Sequence, residues 1–176
     1  RRLREDGFRV SLWQYNFIPP RQDNQNYLEA CQKGYFAKDA TGAPYRNPET
    51  MTGSWVDDAI IDFTNPEARD WYGAQIGALM KLGASAIKTD FGEGIPSAAR
   101  YHGIEGKYIH NFYPLPYNYT VWKATKEATG NDIVWARSGT AGCQRFPLHW
   151  GEDCQCTFVG MAGTLRAALS IGLSGI

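Results

Sequence analysis

Apolar residues along this chain follow two different periods. Short apolar runs at residues 8–15, 84–87, 133–137 and 147–150 have the length and the side-chain types of strands. Residues 66–82 carry apolar side chains three and four positions apart, which predicts a helix that packs one face on a sheet. Because strands and helices alternate, the sequence predicts an α/β fold with a parallel sheet.

Local signals predict where the helices begin and end. Asn65 is a typical N-cap, Pro66 suits the first helical position and Glu67 places an acid in the first turn. Gly83 and Gly130 each follow a helical pattern and predict its end.

Other segments are predicted from composition. Residues 59–64 have the side-chain types of a strand, and residues 35–58 predict a long excursion that contains a hairpin. We expect the last helix at residues 158–169 and the start of one more strand at residues 171–176.

Charged residues follow three successive predicted strands. Asp90 ends the second strand, Arg137 ends the third, and Asp153 comes soon after the fourth. Parallel α/β folds carry their chemistry at the carboxyl ends of the strands. Two carboxylates, a cation and the neighbouring indole of Trp150 suit sugar chemistry, in which one acid attacks and the other donates a proton.

Three motifs carry a resemblance to a known family. Lys-Thr-Asp-Phe-Gly-Glu at residues 88–93, Trp-Ala-Arg-Ser at residues 135–138 and His-Trp-Gly-x-Asp at residues 149–153 resemble the signature of family-31 glycoside hydrolases. Within this family, the motifs resemble those of the bacterial α-xylosidases and their α-glucosidase relatives. Residues 62–66 and 169–175 extend the resemblance over nearly the whole chain.

The resemblance implies an eight-stranded β/α barrel, which takes about 250 residues. Residues 1–176 would then form one part of a single catalytic domain, approximately strands three to six and the start of seven. A partial barrel leaves strand edges unpaired, so we expect the chain alone to be inactive, and marginally stable or aggregation-prone.

The resemblance also implies roles for individual residues. Asp90 would be the nucleophile and Asp153 the general acid and base of a retaining mechanism that needs no cofactor and no metal. Six further residues match positions that bind the sugar or line its pocket: Trp13, Trp55, Lys88, Phe91, Arg137 and Trp150. We expect Lys88 and Arg137 to keep Asp90 ionised, and Trp150 to keep Asp153 protonated by desolvation.

Other interpretations of these residues remain open. Asp90 also begins the Asp-Phe-Gly triplet of protein kinases, but no other kinase motif accompanies it. A barrel enzyme could instead form a Schiff base on Lys88. That chemistry requires a desolvated lysine without a nearby carboxylate, whereas Asp90 is two residues away. Asp62 is a rival carboxylate that we interpret as a structural cap. Trp13 could instead be a buried core residue, and Trp55 could anchor its loop. Arg137 could be a structural ion-pair partner.

Composition limits the partners. Lys and Arg number 18 against 18 Asp and Glu, and 43% of residues are hydrophobic, so neither nucleic acid nor a membrane is favoured. The four cysteines follow no disulfide or zinc spacing, which favours free thiols in a reducing cytoplasm. The chain begins at Arg1 without Met and stops in an apolar run, so we expect it to be part of a longer protein.

The sequence therefore favours a retaining α-glycosidase that acts on an α-linked oligosaccharide or glycoside, with an α-xylosidase first. An α-glucosidase of the same family and a catalytically inactive sugar-binding fragment are the alternatives. The expected partners are the substrate and the rest of the parent chain, and a homo-oligomer of the parent stays open.

Overall fold

The computed structural model describes residues 2–46, 57–146, 148–151 and 153–175. Its helices are α1 (Arg2–Glu5), α2 (Gln25–Lys33), α3 (Pro66–Leu82), α4 (Gly106–Ile109), α5 (Pro114–Thr129) and α6 (Phe158–Gly172). Its strands are β1 (Ser11–Tyr15), β2 (Phe17–Ile18), β3 (Ala59–Ile60), β4 (Ala86–Asp90), β5 (Arg100–Tyr101), β6 (Ile104–Glu105), β7 (Val134–Ala136) and β8 (Leu148–His149).

Four strands form a parallel sheet in the order β1-β4-β7-β8. Tyr15 lies opposite Asp90 at the ends of β1 and β4. Thr89 of β4 pairs with Ala136 of β7, and Ala136 pairs with His149 of β8. This register brings the carboxyl ends of all four strands to one edge, and it confirms the predicted parallel α/β fold.

Helices α3 and α5 pack on each other and on the sheet. The Asn65 side chain accepts a hydrogen bond from the backbone N–H of Glu67, and Gly83 ends α3 in a left-handed conformation, as the sequence predicts. The buried side chains of α3 include Tyr72, whose hydroxyl donates to the carbonyl of Tyr15 at 3.0 Å. This bond joins α3 to the end of β1.

Two predicted strands are corrected by the structure. In the predicted strand 59–64 only Ala59–Ile60 is a strand, and it pairs antiparallel with β2 outside the main sheet. The expected strand at residues 171–176 is absent from its described part, because α6 continues to Gly172 and a turn follows. The short apolar run at residues 171–173 fits a helix and a strand equally, so the sequence pattern alone does not separate them.

The excursion at residues 35–58 contains the predicted hairpin, in which Lys38 bridges Pro44.

None of the helices within the described ranges combines the length and the hydrophobicity needed to cross a bilayer. Helix α6 has no buried side chain, in contrast to α3 and α5.

Candidate active site

The site lies at the edge where the parallel strands end. Asp90 is the last residue of β4, and Arg137 and Trp150 directly follow β7 and β8. Side chains alternate along a strand, so Lys88 and Asp90 share one face of β4, whereas Thr89 points to the other face. The sheet thus presents residues from several distant parts of the sequence on one surface.

The Asp90 carboxylate is surrounded by donors and cations. Trp13 Nε1 donates to Oδ2, and the backbone N–H of Phe91 donates to Oδ1 at 3.2 Å. Lys88 Nζ lies 3.8 Å from Oδ2, and Arg137 Nη1 lies 3.3 Å from Oδ1. The Asp90 side chain is only 8% exposed, so these contacts replace water around its negative charge.

Arg137 joins the two predicted catalytic acids. The same Nη1 atom lies 3.3 Å from Asp90 Oδ1 and 3.4 Å from Asp153 Oδ2. Because both distances end on one nitrogen, the two carboxylate oxygens are less than about 7 Å apart, so both acids can reach the same glycosidic bond. The Nη2 atom pairs with Glu93 Oε1 at 2.8 Å. The structure therefore brings Asp90, Arg137 and Asp153 together.

Asp153 is in a different environment from the one expected. Its side chain is 68% exposed, so the expectation that Trp150 desolvates it is wrong for this structure. Trp150 contacts it through a polar atom, since Nε1 donates to Asp153 Oδ1 at 3.2 Å. The indole orients the carboxylate and leaves it open to water.

Aromatic rings form the walls around the acids. Arg137 lies over the Phe91 ring at 4.6 Å from its centroid, and Lys88 lies over the Trp150 ring at 4.1 Å. The Trp13 ring is 4.6 Å from that of Tyr15 and is 38% exposed, unlike a core tryptophan. Both cations therefore rest on rings while they face carboxylates. Trp55, the remaining predicted sugar-binding residue, lies outside the described residues.

The glycine-rich bend after Asp90 is expected from the sequence, but the left-handed backbone at Phe91 is not. Phe91 has a φ of 56° and Gly92 has a φ of 97°. A non-glycine residue in the left-handed region is strained, and such strain gathers at functional sites. Because of this bend, the Phe91 ring lies beneath Arg137 and beside Phe17, at 5.6 Å between ring centroids.

The rival carboxylate Asp62 has a structural environment. It is buried, its Oδ1 accepts from the N–H and hydroxyl of Thr64, and its Oδ2 accepts from the His102 N–H at 2.7 Å.

His110 Nδ1 contacts the carbonyl oxygen of Ile95. Across the part of the chain that the structure describes, no three His, Cys, Asp or Glu side chains are grouped to hold a metal.

Comparisons with known proteins give a consistent result. The model of the glycosyl hydrolases family 31 TIM-barrel domain matches residues 1–176. An alpha-xylosidase of Emericella nidulans is 37% identical over 178 residues, which cover 99% of this chain and 22% of that protein. A sulfoquinovosidase of Escherichia coli is 31% identical over 155 residues, which cover 84% of this chain and 22% of the relative.

A solved structure adds the fold. The cycloalternan-degrading enzyme from Trueperella pyogenes in complex with a covalent intermediate has a TM-score of 0.87 and 28% identity, over 100% of this chain and 25% of that one. The four parallel strands are therefore part of a TIM barrel, as predicted. The chain spans about a fifth to a quarter of the length of these proteins.

Proposed function

Because this chain belongs to glycosyl hydrolase family 31, we propose that it is part of the catalytic barrel of a retaining α-glycosidase that acts on α-xylosides in its full-length form. One observation carries the proposal. A single guanidinium nitrogen of Arg137 lies within 3.4 Å of both Asp90 and Asp153, so two carboxylates meet at the strand ends where barrel enzymes place their chemistry.

In the first step, Asp90 attacks the anomeric carbon of the sugar and the glycosidic bond breaks. Asp153, entering this step protonated, gives its proton to the leaving oxygen. The product is a β-glycosyl ester on Asp90. In the second step, Asp153 takes a proton from water, the water oxygen attacks the anomeric carbon, and Asp90 leaves. Two inversions restore the α configuration.

The surroundings of the two acids suit these different roles. Asp90 is buried among Trp13, Lys88 and Arg137, which fix its orientation and stabilise negative charge when it leaves the sugar. Asp153 is exposed, as a group must be that meets both a leaving group and an incoming water.

The substrate class is supported by the aromatic walls and by the relatives. The exposed Trp13 ring offers a face on which a sugar can stack, while the Phe91 and Trp150 rings carry the two cations that face the acids. An alpha-xylosidase is among the relatives, at 37% identity over almost the whole chain. Another relative is a sulfoquinovosidase, so membership of the family alone does not determine the sugar.

The test uses the full-length protein with Asp153→Ala and a set of α-xylosides whose leaving groups differ in acidity. We expect kcat/KM of the variant to fall far more for an alkyl α-xyloside than for a dinitrophenyl α-xyloside, because kcat/KM reports the step in which the leaving group departs and an acidic leaving group needs no proton. Equal losses on both substrates would refute the acid role. No turnover of α-xylosides, α-glucosides or α-sulfoquinovosides by the unmodified protein would favour an inactive sugar-binding protein.

A further inference from the structure

Two consecutive residues of α5, Tyr117 and Asn118, lie directly behind the strand ends and are completely buried. Both are polar, and burying a polar side chain is costly unless its hydrogen bonds are made. Their partners belong to three different strand ends. These contacts join the helix to the backbone segments that carry Trp13, Asp90 and Arg137.

Asn118 connects the end of β4 to the segment that follows β7. Its Oδ1 accepts from the Thr89 hydroxyl at 2.7 Å, and its Nδ2 donates to the carbonyl of Ser138 at 2.9 Å. Thr89 directly precedes Asp90, and Ser138 directly follows Arg137. One side-chain amide therefore links Thr89, which is next to the nucleophile Asp90, to Ser138, which is next to Arg137.

Tyr117 holds the same region from beneath. Its hydroxyl lies 3.2 Å from the carbonyl of Asp90 and 3.3 Å from that of Gln14, which follows Trp13 in β1. A methyl group at Gly92 would lie 3.1 Å from the Tyr117 ring. The tyrosine therefore fixes the ends of two strands and supports the bend after Asp90.

The backbone itself provides limited support for Arg137. The last parallel pairing of β7 with β4 is that of Ala136 with Thr89, and the Arg137 N–H donates to the Thr89 carbonyl at 2.9 Å. The Asn118 amide supplies the next connection along the chain, at Ser138. Because Thr89 points away from the face that carries Lys88 and Asp90, this connection lies behind the sheet, where no substrate reaches.

We propose that Asn118, acting through the Thr89 hydroxyl, is a positioning residue that sets the separation of the Asp90 carboxylate from the Arg137 guanidinium. The inference rests on the proposed function, because it assigns a consequence for turnover to that separation. Displacements of about 1 Å in a catalytic arrangement can cost on the order of a hundredfold in rate. The contact therefore matters for rate more than for substrate affinity.

The test uses two substitutions of Thr89 in the full-length protein. Thr89→Val keeps the volume and the β-branch and removes the hydroxyl, whereas Thr89→Ser keeps the hydroxyl and removes the methyl group. We expect Thr89→Val to lower kcat for an α-xyloside about tenfold with KM changed less than twofold. Thr89→Ser should retain kcat, even where its Tm falls below that of Thr89→Val.

The matched control is Thr120→Val, in helix α5, which also carries Asn118. Thr120 is also buried, and its hydroxyl donates within α5, to the carbonyl of Pro116 at 2.7 Å. We expect this variant to keep its kcat. Asn118→Leu, which removes both bonds, should lower kcat at least as far as Thr89→Val in the fraction that folds.

Two results would overturn the proposal. One is an unchanged kcat in Thr89→Val, and the other is an equal fall of kcat in Thr89→Val and Thr120→Val, which would indicate a general loss of stability. Asp90→Ala separates this inference from the proposed function. If Asp90→Ala is inactive while Thr89→Val turns over normally, only the positioning role fails. If Asp90→Ala is active, the proposed function fails as well.

Discussion

At the scale of single residues, the nucleophile position depends on two backbone conformations that most side chains disfavour. Phe91 and Gly92 both have positive φ values directly after Asp90. The bend places the Phe91 N–H on the Asp90 carboxylate and the Phe91 ring beneath Arg137. Strain of about 1–3 kcal/mol at such a residue persists only where the surroundings hold it. Here Tyr117 and Ser138 lie against the bend.

Gly92→Ala tests this arrangement. A Cβ at this position would overlap the Ser138 hydroxyl, and a φ of 97° is unfavourable for alanine. We expect the full-length protein to lose about 2–4 kcal/mol of unfolding free energy, together with most of its activity. Urea unfolding and α-xyloside turnover measure the two effects.

Gly94→Ala is the matched control, because Gly94 also has a positive φ, of 72°, but no atom lies within 4 Å of the added Cβ. We expect only the backbone cost of about 1 kcal/mol, with turnover retained. Equal losses in the two variants would contradict the importance of the contact with Ser138.

Asp58 makes stability depend on pH. It is buried, and its Oδ2 has no hydrogen-bond partner in the described part of the chain. Burial, reinforced by the neighbouring Asp57 carboxylate, raises the pKa of Asp58 to about 6, against the opposing charges of Arg21 and Arg46. As the pH rises, the unfolded chain therefore loses the Asp58 proton at a lower pH than the folded chain does. Its contribution to stability is complete below about pH 4 and is lost as pH rises through about 6.

Asp58→Asn should therefore stabilise the full-length protein by about 1–2 kcal/mol at pH 7.5, and the gain should disappear near pH 4. Chemical unfolding at a series of pH values measures this difference. Asp57→Asn is the control, because Asp57 is exposed and pairs with Arg46 at 3.2 Å. Its gain at high pH should be smaller, because the Asp57 charge is only the second cause of the raised pKa of Asp58 and its removal also breaks the pair with Arg46. A benefit of Asp58→Asn that is independent of pH would contradict the assignment.

At the scale of elements, the sequence predicts helices better than strands. The caps at Asn65, Gly83 and Gly130 are local signals, and each is found where it was predicted. A strand requires a neighbour that is distant in sequence. Residues 59–64 have the composition of a strand, but only Ala59–Ile60 has a strand partner. At residues 171–172 the apolar pattern fits a helix and a strand equally, and the helix continues.

Helix α6 differs from α3 and α5 in what covers it. Phe158, Leu165 and Leu169 are 85%, 58% and 66% exposed. A row of large apolar side chains of this kind promotes association. We therefore expect the purified 176-residue chain to self-associate in sedimentation experiments. A monomer that melts cooperatively would contradict this prediction.

Two charge substitutions test whether α6 causes the self-association. Leu165→Glu, in the apolar row of α6, should reduce association of the isolated chain. Leu82→Glu adds the same charge at a leucine that is also exposed, 62%, at the end of α3. It should leave association almost unchanged. Equal effects would indicate that net charge, rather than α6, controls association.

At the scale of the whole molecule, the predictable part of the site is the part set by strand ends. Asp90, Arg137 and Trp150 lie at the ends of strands whose shared direction the alternation of strands and helices indicates, so their approach to one another could be expected. The contacts of Asn118 with Thr89 and Ser138 could not, because they span 29 and 20 residues and join a helix to a strand and to a loop. The exposure of Asp153 also depends on long-range packing.

The most direct test of the account is to trap the covalent intermediate on the full-length protein. An α-xylosyl fluoride with an added ring fluorine should react with Asp90 and leave slowly, because fluorine destabilises the positively charged transition state. Digestion and mass spectrometry should locate one xylosyl adduct on Asp90 and none in Asp90→Asn. A label on Asp153 or Asp62, or rapid turnover by Asp90→Asn, would contradict the account.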